Sequence, residues 1–300
     1  MAFSYILTQL VNGLKLGSIY AIVATGYSIV YSILRLINFV HGDILCVGVY
    51  AAYMMLTFLV APLPVAIVCA MVTSMALGIV VERIAYRPLR VRGGGEEAVM
   101  MTSIAVSMFL QNLMTMLFSA QSKAFKLPEG LTRLHQFGFI TLSTMNLLTF
   151  ALTAVLLTGL NFIIRRTRIG MAMRACTDNP RAARLMGINL NGVVTFSFAV
   201  GSALAAVAGI MLAGEYKTID PLMGFVPGVK SFVAAVLGGI GSLSGAVLGG
   251  VLLGVAEMLF AGLLPPAWSV YRDALVFVIL ILMLLIKPNG LLGAKSGRRS

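Results

Sequence analysis

Charge is scarce in these 300 residues: 11% are Asp, Glu, Lys or Arg, against about 25% in a soluble domain. With 59% hydrophobic residues, the chain carries more apolar surface than a water-soluble fold can bury, so it needs lipid. Cysteine is equally sparse. Cys46, Cys69 and Cys176 make no disulfide framework and are expected as free thiols. The two histidines, His41 and His135, stand far apart without companions, which excludes a His/Cys metal cluster. The nearest approach to a Walker A string, Gly93-Gly94-Gly95, lacks a following lysine, and neither a nucleophile elbow nor an HExxH helix occurs. No catalytic machinery is visible and no cofactor is implied; the chain is not an enzyme on this reading, and energy for active transport would come from elsewhere. The first basic residue is Lys15, so no charged segment precedes the first apolar stretch and no removable signal peptide is expected.

What is present is apolar and continuous. Hydrophobic segments fall at 5–33, 44–61, 63–82, 98–119, 142–164, 193–214, 229–262 and 270–286. Runs of about 20 residues suit helices crossing ~30 Å of hydrocarbon, whereas a β-barrel would show a period of two. The fold class predicted is all-α: a polytopic transmembrane bundle of about eight spans, one domain over 1–300. The basic residues support this. Arg83, Arg87, Arg90 and Arg92 form one group, Arg165, Arg166, Arg168, Arg174, Arg181 and Arg184 a second, and Lys287, Lys295, Arg298 and Arg299 a third. All flank apolar runs, the positive-inside pattern, and no aromatic residues are interleaved for stacking on bases, so nucleic acid is not a partner.

Parity then orders the spans. Loops 83–97 and 165–192 are cytoplasmic and 120–141 is external. Between 192 and the tail the number of crossings must be even, so 229–262 crosses twice or re-enters. Its centre, Gly238-Gly239-Ile240-Gly241-Ser242-Leu243-Ser244-Gly245, is too rich in glycine for an unbroken helix. Non-helical backbone at membrane depth survives only inside protein or beside a watery cavity. Segment 5–33 crosses once with an external N-terminus, or residues 5–16 lie along the interface instead. Stretches 42–56 and 245–258 are faintly alike and would fit an internal repeat.

Several constellations admit two readings. At Ile37-Asn38-Phe39-Val40-His41-Gly42-Asp43, Asn38 and Asp43 cap a helix beginning near Ile44 with His41 satisfied by backbone, or the group takes part in substrate passage and gating. Glu257 is a structural hydrogen-bonding group or a proton-relay carboxylate. Gly13/Gly17, Gly201/Gly209, Gly245/Gly249 and Gly250/Gly254 are devices for close helix packing, and the methionine-rich stretches are adaptable packing. In the loop 165–192, Asp178 or Asn179 can cap a very short helix, Pro180 suits its first position and Gly187 the position past its end. Ala182, Leu185 and Met186 share one face. Such a helix lies on anionic lipid or docks in a partner's groove.

The pattern Gly170-x3-Arg174-Ala175-x3-Asn179-Pro180-x-Ala182-Ala183-x-Leu185-x-Gly187-Ile188 resembles the cytoplasmic loop of permease subunits in branched-chain amino acid ABC importers. Gly13-x3-Gly17-Ser18-x-Tyr20-Ala21-Ile22, Ile37-Asn38-Phe39-x-His41-Gly42, Leu237 through Ala246, and the tail Lys287-Pro288-x-Gly290-Leu291-Leu292-Gly293 are similar to the same family. Val40 and Asp43 stand where the family often has Ala and Glu. The resemblance covers nearly the whole chain, and the length suggests the shorter of two permease subunits.

The resemblance implies a multi-pass protein of the bacterial inner membrane. Its partners would be a second, homologous permease subunit, two cytoplasmic ATP-binding subunits and a periplasmic substrate-binding protein. Residues 180–187 would be the coupling helix, with Gly170, Arg174, Ala175, Asn179, Pro180, Arg181, Ala182, Ala183, Arg184, Leu185 and Gly187 at the ATPase contact. Asn38, His41, Asp43, Gly238, Gly239, Gly241 and Gly245 would shape the translocation path. Rival expectations are an importer of the same family for urea, short amides or other amino acids, and an ion-coupled carrier using Glu257.

Overall fold

The structure, a computed structural model, describes residues 2–131, 133–137, 140–265, 271–287 and 290–292. Pro288, Gly293, Lys295, Arg298 and Arg299, named above in the tail, lie outside the described residues.

In chain order the helices are α1 (Ala2–Leu34), α2 (Val40–Thr57), α3 (Leu63–Val81), a π-helical turn (Glu82–Tyr86), α4 (Arg87–Val91), α5 (Glu96–Phe118), α6 (Thr144–Arg166), α7 (Arg168–Asp178), α8 (Pro180–Leu185), α9 (Leu190–Tyr216), α10 (Phe225–Gly238), α11 (Leu243–Leu263) and α12 (Arg272–Ile286). Small strands β1 (Lys123–Ala124) and β4 (Thr218–Ile219) pair antiparallel, as do β2 (Leu134–Phe137) and β3 (Ile140–Ser143). The first pair ties the expected external loop to the connection between α9 and α10.

Among the described residues seven helical units are long and apolar enough to cross a membrane, α3 counting as one unit through Val91. Helix α1 runs unbroken from Ala2, which overturns the alternative of an interfacial segment over 5–16. At 1.5 Å per residue it is about 50 Å long, enough to cross hydrocarbon and both interfaces. The expected loop 83–97 shrinks, because helix continues through the π-turn to Val91. The segment 229–262 is broken as expected: α10 ends at Gly238 and α11 starts at Leu243. Polar caps set the starts: Ser143, Thr167, Asn179, Asn189 and Ser242 each accept a hydrogen bond from a backbone N–H in the first turn of α6, α7, α8, α9 and α11.

Helices α1 and α9 form the centre and are buried along most of their length; α3, α5 and α6 surround them and leave broad apolar faces outward. The glycine pairs set the central crossings. A methyl group at Gly13 or Gly17 would stand 2.7 Å from the Cα of Val255 or Val251, so α1 and α11 pack backbone to backbone. Gly42 meets Gly224 and Gly228 in the same manner, which joins the start of α2 to the start of α10.

Candidate coupling face and intramembrane junctions

Helix α8 is only two turns long, yet both its ends are fixed. Asn179 Oδ1 accepts from Arg181 N at 3.0 Å and Ala182 N at 3.1 Å, so Asn179, not Asp178, is the cap. Pro180 opens the helix. At the other end Gly187 has φ +82°, with Gly187 N on Arg184 O at 3.0 Å and Ile188 N on Ala183 O at 3.1 Å. Those two bonds form a Schellman motif, which needs the left-handed residue that Gly187 supplies. Ala183, 4% exposed, faces the bundle. Leu185 and Met186 face outward at 89% and 82% exposure, and Ala182, Arg181 and Arg184 are also exposed.

The approach to α8 is equally determined. Thr167 Oγ1 accepts from Gly170 N at 3.1 Å. A side chain at Gly170 would run into the carbonyls of Ile163 and Ile164. Arg174 Nη1 donates to the Ile164 carbonyl, tying α7 back to the end of α6, and Ala175 O accepts from Asn179 N at 3.1 Å. Cys176 is buried behind this turn; burial pushes its thiol pKa up, with the Arg184 charge pulling the other way.

Beside α8 lies a buried polar cluster that sequence reasoning missed. Glu82, in the π-turn, is fully buried. It accepts from Arg90 Nη2 at 3.2 Å and from Thr195 Oγ1 at 2.8 Å. Arg90 Nη2 also donates to Asn191 Oδ1 at 2.6 Å. The available signal was an acid at the end of an apolar run, eight residues before an arginine.

At the Asn38–Asp43 junction the capping reading is corrected. The helix begins at Val40, its N-cap Phe39 makes no side-chain bond, and the polar groups reach sideways to other helices. Asn38 Oδ1 accepts from Tyr86 OH at 2.8 Å. Asp43 accepts from Ser107, and from Gln111 Nε2 at 3.0 Å. The His41 ring hydrogen-bonds the Val23 backbone, lies 4.5 Å from the Tyr27 ring and tilted 58° to it, and leaves Nε2 without a partner, against the Gly26 and Gly201 crossing. A small cavity lies beside the junction, bounded by Tyr27, Phe39, Gly42, Phe225 and Phe232.

The Gly238–Gly245 turn sits elsewhere. Gly239 and Gly241 have φ +105° and +88°. Gly238 and Gly245 press on each other's carbonyls. Leu291 N and Leu292 N each donate at 2.9 Å to Leu237 O and Gly238 O, so the tail covers the break. Gly241 borders an open cavity, shared with Ser32, Arg165 and Arg174.

Glu257 is 1% exposed and held on three sides. It accepts from Lys230 Nζ at 2.7 Å, Tyr20 OH at 2.9 Å and Arg272 Nε at 3.1 Å. Lys230 also reaches Asp273 at 2.6 Å. This lysine escaped sequence reasoning; its isolation in an apolar run is the signal by which its need of a partner could have been read. Among the described residues no group of three His, Cys, Asp or Glu could hold a metal, and all three cysteines are free.

The family model described as "Branched-chain amino acid transport system / permease component" matches residues 9–285. The high-affinity branched-chain amino acid transport system permease protein BraD of Pseudomonas aeruginosa is 42% identical, over 96% of this chain and 95% of that protein. The corresponding permease LivH of Escherichia coli K12 is 38% identical, over 97% and 96%. In fold the chain is similar to PsaBC from Streptococcus pneumoniae, solved with a Fab, at a TM-score of 0.52 and 14% identity, covering 93% of this chain and 91% of that one. The chain belongs to the permease family of branched-chain amino acid transport systems.

Proposed function

We propose that this chain is the membrane-crossing subunit of an ATP-driven importer that carries leucine, isoleucine and valine across the bacterial inner membrane. It would pair with a second permease, with two cytoplasmic ATP-binding subunits and with a periplasmic binding protein that delivers substrate. The observation that carries this reading is α8: a helix rigidly capped at both ends that holds Leu185 and Met186 in water. Unpartnered apolar side chains on so fixed a support suit a groove on another protein.

ATP-driven movement of the ATPases would push on 180–187 and pass through α6 and α9 to the centre of the bundle, switching access from one side to the other. The single domain would thus be one moving body with its lever at 165–192. Asn38 and Asp43 make their side-chain hydrogen bonds to other helices, so relative helix motion there would reshape the adjoining cavity. Gly238, Gly239, Gly241 and Gly245 would act as the hinge of the α10–α11 break. A zwitterion with an apolar side chain needs few charges on its path, in keeping with the scarcity of unpaired intramembrane acids. An ion-coupled carrier is less well supported, because Glu257 is already engaged by Lys230, Arg272 and Tyr20.

The test is Leu185→Asp in the assembled transporter. Loss of the ATP-binding subunits on purification, and of leucine uptake, is expected; unchanged retention and uptake would overturn the docking role. Binding of leucine against urea and short amides to the separately purified binding protein tests the substrate class.

A further inference from the structure

Two cavities adjoin between α1, α6 and α11. They share Asn161 and Arg165 of α6 and Leu243 and Ser244 at the start of α11, so they form one groove, in parts of about 330 and 360 Å³. Thr25 and Ile29 of α1 also line it. Each is two residues from Tyr27, hence on the far side of α1 from the cavity that Tyr27 bounds beside the Asn38–Asp43 junction. Next to the groove, Val155 and Phe162 of α6 and Leu248 and Leu252 of α11 point outward, each at least 45% exposed, an apolar surface of the kind that meets a membrane.

Depth along α6 orders the groove chemically. Arg165 stands in the last turn, among the arginines of the cytoplasmic face, and is exposed. Among the described residues it has neither a hydrogen bond nor an ion pair. Asn161, one turn deeper by about 6 Å, is also exposed and makes no side-chain hydrogen bond. Leu157 is about 12 Å in, and with Leu160, Val247 and Leu248 it makes the second cavity apolar. Thr25 there already donates to the Ala21 carbonyl. The spacing 157, 161, 165 stacks the three levels on one face. At the rim Arg174 and Asp178 of α7 join Arg165, two basic groups against one acid, and Arg174 is partly spent on the Ile164 carbonyl.

We infer that this groove holds an anionic phospholipid of the cytoplasmic leaflet, with its phosphate on Arg165, an ester carbonyl accepting from the Asn161 amide, and an acyl chain along Leu157, Leu160 and Leu248. A guanidinium grips phosphate oxygens well, and basic pockets between spans at the cytoplasmic face suit such head groups. The sequence of levels selects the occupant. A free anion would use the rim alone and gain nothing from the apolar half. A neighbouring helix would fill the apolar half but has to bring its own acid to Arg165 and its own acceptor to Asn161. A glycerophospholipid carries charge, ester and hydrocarbon in that order and at those depths, and it is the medium that bathes the apolar faces beside the groove. Because Arg174 and Asp178 belong to α7, the lipid head also braces the segment that carries α8.

The test uses the full complex in phosphatidylcholine vesicles holding a trace of a photoactivatable lipid, with a diazirine midway along one acyl chain and either a phosphatidylglycerol or a phosphatidylcholine head. Labelled peptides are read by mass spectrometry. The glycerol-headed probe should label the stretches 157–160 and 247–248 roughly fivefold more than the choline-headed one. Arg165→Gln should remove most of that preference and Arg165→Lys should keep most of it, with melting temperatures near the parent's. Arg166→Gln, an exposed neighbour that lines neither cavity, should leave it unchanged. Asn161→Leu should lower labelling by both probes, because the ester is common to both. Equal labelling by the two probes, or equal losses in Arg165→Gln and Arg166→Gln, would overturn the site and leave only diffuse attraction to the membrane surface. Labelling by neither probe in these stretches, while other outward faces of the chain are labelled, would put a protein neighbour in the groove and overturn the lipid.

Discussion

Glu257 sits where an ion-coupled carrier would keep its proton site, yet its neighbours argue for a fixed ion pair. Lys230 and Arg272 bring positive charge to within 2.7 and 3.1 Å, and Tyr20 donates a third bond. Removing one partner of a buried pair strands the other charge, at about 3–5 kcal/mol. Glu257→Leu should therefore lower the melting temperature and the amount in the membrane. Joint replacement Glu257→Leu with Lys230→Met should recover much of both, and uptake in that double variant should keep the parent's pH dependence. A pH profile that changes with the double variant would return Glu257 to a proton-carrying role. Cys176 supports a simpler prediction. Its raised pKa leaves less thiolate at neutral pH, and only the thiolate attacks alkylating reagents. Alkylation of Cys176 should be slow in the folded protein and fast after unfolding, as read by mass spectrometry of the peptide.

At the scale of the element, α8 shows what sequence can specify locally. Asn179, Pro180 and Gly187 each have one position in a short helix where their chemistry fits, and the structure puts them there. The paired glycines of α1 and α11 were legible for the same reason, since only a missing side chain allows such close backbones. What was not legible is lateral. Asn38 and Asp43 have the composition of caps, but their partners Tyr86, Ser107 and Gln111 lie 48 to 68 residues away, and spacing within one segment says nothing about a neighbour brought by tertiary packing. Lys230 and Glu82 were passed over for the same reason. The capping geometry gives a prediction of its own. Asn179→Ala removes two hydrogen bonds at a cost of about 0.5–2 kcal/mol, and Gly187→Val forces a β-branched residue to positive φ at about 1 kcal/mol or more. Both leave Leu185 in place. Both should reduce uptake several-fold while the bundle's own melting temperature stays within a few degrees; a full loss of the folded bundle would mean that α8 is part of the core after all.

For the whole molecule the decisive question is which ends lie on which side of the membrane, because the lever works only if α8 and the ends of α4 and α6 share the cytoplasmic face. Their arginines demand that arrangement. The central antiparallel crossing of α1 with α11, where Gly13 meets Val255 and Gly17 meets Val251, then places the start of α1 on the opposite face, with β1 and β4. The native cysteines make this testable without rebuilding the protein. Cys46 and Cys176 are buried, so a membrane-impermeant thiol reagent should label them poorly from either side once Cys69 is replaced by Ala. In that background, expressed without the ATP-binding subunits, Leu185→Cys should react only in inside-out vesicles and Gln121→Cys only in right-side-out ones. Labelling of both from one side would require an odd number of crossings to be lost or gained between α5 and α8, where α6 alone spans. The arginines at its end would then face outward, and no ATPase in the cytoplasm could reach α8.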